Sequence, residues 1–115
     1  MTPPCERGSA TVYAMIFIGL LTTVALVAAA VAALFVGQRR AAAAADLAAL
    51  AGASALQRGG SGCDAAGGIA QANHARLVSC ETAGDVLTVR VSVAVPTLFR
   101  SDFQVRARAR AGPVQ

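Results

Sequence analysis

The chain has 115 residues, 56% of them hydrophobic, and a formal charge of +4 that comes from arginine alone, because lysine is absent. That length allows at most one small folded unit beside any long apolar segment, and the four Phe, one Tyr and no Trp leave few large side chains for its core. One histidine, six acids and no Gly-rich phosphate loop between a strand and a helix exclude a catalytic constellation; the chain is read as no enzyme, with no cofactor.

Met1 to Ser9 is a short, Pro-containing stub with no pattern that folds. From Val12 to Val36 the sequence carries no charge, and Tyr13, Gly19, Thr22 and Thr23 are its least apolar members. As a helix this run reaches roughly 37 Å, enough to cross about 30 Å of hydrocarbon. A helix satisfies its backbone polar groups internally, so it can enter lipid. A buried core helix is the duller reading, but the rest of the chain is too small to surround a helix that is apolar on every side. A cleaved signal peptide has a shorter apolar region, and Gln38-Arg39-Arg40 would lie between the run and any cut in the alanines beyond it. The span is therefore assigned to residues 10–37, after a stub at 1–9.

Residues 38–58 extend the helix, because alanine and leucine dominate and both favour it. Leu47, Leu50, Ala51 and Ser54 share one face at helical spacing, a narrow face that a sheet can approach, and Gly52 is its weak point. Gly59-Gly60-Ser61-Gly62 stops the helix. Asp64 is placed as the cap of a short second helix from about Ala65 to Arg76, with Ala66, Ile69, Ala70 and Asn73 inward.

Leu77 to Glu81 reads as a strand and Ala83-Gly84-Asp85 as a hairpin turn. Val86 to Val95 alternates, with Leu87, Val89, Val91, Val93 and Val95 on one side, until Pro96 ends it. Thr97 to Asp102 is a connection. Phe103 to Ala111 alternates again, setting Phe103, Val105, Ala107 and Ala109 against Gln104, Arg106, Arg108 and Arg110. The expected fold is α+β: a long N-terminal transmembrane helix extending into a small three-stranded antiparallel sheet domain over residues 59–115.

Arg106, Arg108 and Arg110, with Arg90 beside them, form a candidate anion-binding row for headgroups or cell-wall polyanions. A solvated sheet face produces the same alternation. Cys63, His74 and Cys80 match no common zinc spacing, so no metal is expected. Cys63 and Cys80 pair as a disulfide if the C-terminal part lies outside the cytoplasm, leaving Cys5 as a free thiol inside. Ala25, Ala29 and Ala33 recur at a spacing that lets spans pack closely, as chance in an Ala-rich run also does.

A stub ending in Arg-Gly, one span, an RR–(Ala-rich)–DLAALAGASAL extension and a small strand domain together resemble TadE-like pseudopilins of Tad (Flp-type) pilus or secretion machineries, in particular their short actinobacterial branch. The resemblance covers roughly Arg7 to Val95 and rests most on Arg40 to Leu56. It implies a minor pilin-like subunit whose partners are other pilin-like or platform membrane proteins and the lipid bilayer, with no nucleic acid. It also implies prepilin-type cleavage between Gly8 and Ser9, although Tyr13 stands where such pilins carry a glutamate, and a phenol supplies no charge at neutral pH. A cytoplasmic N-terminus and an extracytoplasmic C-terminal domain follow from it. Arg39, Arg40 and Arg58 argue the reverse orientation by the positive-inside rule. A bitopic, envelope-anchored binding protein using its Arg-rich sheet face is the alternative.

Overall fold

The computed structural model describes residues 7–96 and 103–114. Cys5, most of the stub and the Thr97–Asp102 connection lie outside the described residues. The architecture is α+β, with a long apolar N-terminal helix and a small three-stranded antiparallel sheet. The chain divides into two compact units, Met1–Ala32 and Ala33–Gln115, and helix α1 (Arg7–Gln57) supplies residues to both.

In the first unit α1 has its side chains exposed all round, and the helix is long and apolar enough to cross a membrane. Its two threonines do not break this character. Thr22 Oγ1 donates to the Ile18 carbonyl and Thr23 Oγ1 to the Gly19 carbonyl, each at 2.8 Å, so neither hydroxyl needs water.

The second unit is built on a division of side-chain size. From Gly37 onward one stripe of α1 is made only of small residues, and Ala41, Ala44, Ala45, Ala48 and Ala49 are all essentially inaccessible. Against them pack the large residues of strand β2 (Val86–Ala94), of which Leu87, Val89 and Val91 are fully buried. A Cβ added to Gly37 would run into Val95, and one added to Gly52 would lie 2.7 Å from Leu87 Cδ2 and 2.8 Å from the Gly62 carbonyl oxygen. Helix and strand are therefore antiparallel neighbours, with Val95 at Gly37 and Leu87 at Gly52. The lengths agree: about 22 Å of helix rise between the two glycines against about 26 Å of strand.

This corrects two expectations. Leu47 and Leu50 lie on the exposed side of α1, with Ser54, because the sheet brings the bulky residues and leaves room only for alanine and glycine on the helix. Gly52 is not a weak point but the place where two backbones nearly touch.

α1 ends in a Schellman arrangement. The Gly60 amide donates to the Ala55 carbonyl at 2.8 Å and the Gly59 amide to Leu56 at 2.9 Å, with Gly59 at a φ of 79°. Helix α2 (Gly62–Ala72) starts earlier than expected, because Ser61, not Asp64, is its cap: the Asp64 amide donates to Ser61 Oγ at 3.4 Å. Asp64 instead sits in the first turn, where its charge suits the helix dipole. α2 also ends before Arg76. The Ala75 amide reaches the Ala70 carbonyl at 2.9 Å and the His74 amide reaches Gln71 at 3.0 Å, which places His74 at a φ of 57°. Ala66 and Ala70 are buried as expected, Ile69 is half-buried, and Asn73 is exposed and bonds back to the Ile69 carbonyl through its side chain.

β1 (Arg76–Ala83) and β2 are joined by the two-residue turn Gly84-Asp85, where Gly84 takes a φ of 60°. β3 (Gln104–Ala111) pairs with the other side of β2, giving the order β1-β2-β3. A bulge between Leu77 and Ser79 shifts the β1 register by one residue.

Candidate functional site

The sheet has one face on the helices and one turned away from them, and the outer face holds five of the eight described arginines of the second unit. The β2–β3 register sets Ser92 opposite Arg106, Arg90 opposite Arg108 and Thr88 opposite Arg110. All four predicted arginines, Arg90, Arg106, Arg108 and Arg110, are thus brought onto one surface and are exposed. Their direct partners across the strands are Ser, Thr or another Arg. The Arg90–Arg108 pairing places like charges directly opposite, an arrangement that costs stability unless an anion lies between them.

The β1–β2 register adds Arg76, which lies opposite Ser92 and so extends the Arg106 row to the third strand. Ser92 in the middle of that row is only 4% accessible. Sequence reading missed Arg76 because the bulge at Val78 breaks the alternation of β1, and a strand read as Leu77 to Glu81 leaves it in the preceding helix. The bulge also turns Val78 outward, where it is 47% exposed. Val78, Ser79, Arg90, Arg106, Ala107 and Arg108 line a groove of about 360 Å³ on this face. Three of its lining residues are arginines, and Val78 is its one large apolar side chain.

Cys63, in the first turn of α2, and Cys80, in β1, form a disulfide with Cα atoms 5.8 Å apart. The bond fastens α2 to the sheet next to the Gly52–Gly62 approach. His74 is an exposed residue of the α2 C-terminus, held in the left-handed region by the cap described above. It lines a second cavity, of about 440 Å³, with Arg40, Asn73 and Val93 among its other walls.

Gly8 and Ser9, the expected cleavage position, fall in the first turn of α1; Gly8 is exposed and has nothing within 4 Å of where a Cβ would be. Tyr13, 72% exposed, stands on the apolar helix one turn further on.

Residues 8–55 match the family model for Flp pilus-assembly TadE/G-like proteins. The match takes in the apolar helix and the small-residue stripe, and ends before α2 and the sheet. No curated protein and no solved structure matches the chain.

Proposed function

We propose, from the match of residues 8–55 to the Flp pilus-assembly TadE/G-like family, that this chain serves as a minor pseudopilin-like membrane subunit of a Tad/Flp-type pilus or a related secretion apparatus. The observation that carries this reading is the position of the family segment: residues 8–55 take in the apolar part of α1 and continue into the Ala stripe. The role is structural, and no step of it needs catalysis. The apolar helix stores the subunit in the bilayer. Its exposed side chains, Val12, Phe17, Leu21 and Val24 among them, offer van der Waals surface to the spans of other pilin-like or platform proteins.

In this reading the N-terminus is cytoplasmic and the disulfide-closed sheet domain is extracytoplasmic. The Cys63–Cys80 bond supports that orientation, since such bonds persist outside the reducing cytosol. Cleavage between Gly8 and Ser9 belongs to the same proposal, and it requires the first helical turn to open for the peptidase.

The test is recovery of the full chain from its native membrane with a crosslinker, followed by mass analysis of partners and of its own N-terminus. Crosslinks to pilin-like or platform spans, with a mature chain starting at Ser9, are expected. A chain that crosslinks to no component of the apparatus overturns the assembly role. An intact Met1 or a start at Thr2 overturns the cleavage alone.

A further inference from the structure

Among the described residues the outer sheet face carries five arginines, Arg76, Arg90, Arg106, Arg108 and Arg110, and one acid, Glu81, which lies opposite Thr88. Among the described residues this face therefore carries a formal charge of +4, as large as the net charge of the whole sequence. A merely solvated surface does not need its charge so segregated, nor two arginines set directly across from each other.

We propose that this face binds a linear phosphodiester polymer of the cell envelope, laid along β3. Three features select that ligand. Guanidinium groups pair with phosphate through two parallel hydrogen bonds, and a row of them suits a row of phosphates. Arg106, Arg108 and Arg110 repeat every second residue, so their positions cover about 14 Å along the strand. Because β2 runs alongside α1 from Val95 at Gly37 to Leu87 at Gly52, the rows on its outer side succeed one another along the helix axis. A flat surface crossing that axis meets one row at a time, whereas a chain laid along β3 meets all of them.

The groove between Arg90, Arg106 and Arg108 supplies the remaining contacts. Val78, turned outward by the bulge, gives it an apolar side chain against which the carbon segments between phosphates can rest. Single-stranded nucleic acid carries the same charges but takes much of its affinity from stacking on aromatic rings, and no aromatic residue belongs to the rows of this face. The site lies outside residues 8–55, so it is separable from the assembly role: a chain that crosslinks normally to its apparatus can still fail to bind polymer, and the reverse.

The experiment uses the full, oxidised chain in zwitterionic nanodiscs, titrated with poly(glycerol phosphate). Saturable, salt-sensitive binding is expected, with glycerol phosphate monomer about a hundredfold weaker because the contacts act together. Replacing Arg90, Arg106 and Arg108 by Gln lowers polymer affinity about twentyfold, the sum of three modest exposed contacts. Replacing the same three by Lys keeps the charge but not the paired hydrogen bonds, so affinity falls between that of the unaltered chain and that of the Gln triple, which shows that the face still folds. Replacing Arg39, Arg40 and Arg58 by Gln removes the same charge elsewhere and leaves affinity within about twofold. The proposal is overturned by absence of polymer binding, by equal losses in the two Gln triples, or by tighter arginine-dependent binding to phosphatidylglycerol vesicles or single-stranded DNA than to the polymer.

Discussion

Gly52→Ala sets two opposite effects of known size against each other. In a helix interior alanine is favoured over glycine by about 1 kcal/mol. At Gly52, however, the new methyl carbon would be placed 2.7 Å from Leu87 Cδ2 and 2.8 Å from the backbone carbonyl oxygen of Gly62. Leu87 can turn aside only by disturbing a fully buried position, and the carbonyl belongs to the first residue of α2, which the Cys63–Cys80 bond holds against β1. Overpacking a tight site costs about 1–3 kcal/mol, and a clash with a tethered backbone carbonyl puts this site at about 2–3, so after the helix gain of about 1 the net loss is about 1 to 2 kcal/mol. Gly68→Ala is the control: it lies in α2 with nothing within 4 Å of the new carbon, and there only the helix gain of up to about 1 kcal/mol remains. Amide hydrogen exchange of β2 in the full oxidised chain, measured in micelles, reports both. Protection is expected to fall about five- to thirtyfold for Gly52→Ala and to rise for Gly68→Ala. If both variants gain protection, the helix and the start of α2 are not in close contact, and the size division of the core is wrong.

Three further outcomes follow from the same packing. Reducing Cys63–Cys80, or replacing both by Ser, lowers the stability of the sheet domain by about 3 kcal/mol, read as lost β1 and β2 protection. Leu87→Ala costs about 2–5 kcal/mol because it opens a cavity in the fully buried row, while Leu50→Ala, 60% exposed on the opposite side of α1, leaves protection within about 0.5 kcal/mol. His74→Gly relieves a left-handed backbone held by a residue with a Cβ and stabilises the α2 terminus by up to about 1 kcal/mol; a loss of protection in α2 would show that the imidazole makes a contact worth more than the strain.

What could be read from the sequence was whatever depends on one element alone. The apolar run of α1 and the alternation of β2 and β3 are statements about single segments, and the structure keeps them, down to the buried Leu87, Val89 and Val91 and the outward Arg106, Arg108 and Arg110. What was misread depends on two elements at once. Leu47 and Leu50 look like the natural inner face of α1 until β2 is placed against it, and then the volume available admits only alanine. Gly52 looks like a defect in a helix until Gly62 is found facing it. Arg76 is hidden by a bulge that exists only in the pairing of β1 with β2.

These errors point the same way. The Ala-rich part of α1 beyond the apolar run does receive the sheet, but not on the face of Leu47, Leu50, Ala51 and Ser54. From Gly37 to Ala53 the buried small residues serve its own sheet, while Leu47 and Leu50 stay outward together with Ala42 and Ala43. A partner helix approaching α1 on the side of Leu47 and Leu50 meets leucine, and its closest approach there is set by side chains and not by backbones. Replacing Leu47 and Leu50 together by Ser should leave β2 protection unchanged within about 0.5 kcal/mol, because neither supports the core. If crosslinks to neighbouring spans also stay unchanged, partners engage the apolar residues before Ala33 alone; if β2 protection falls, the outward placement of these two leucines is wrong.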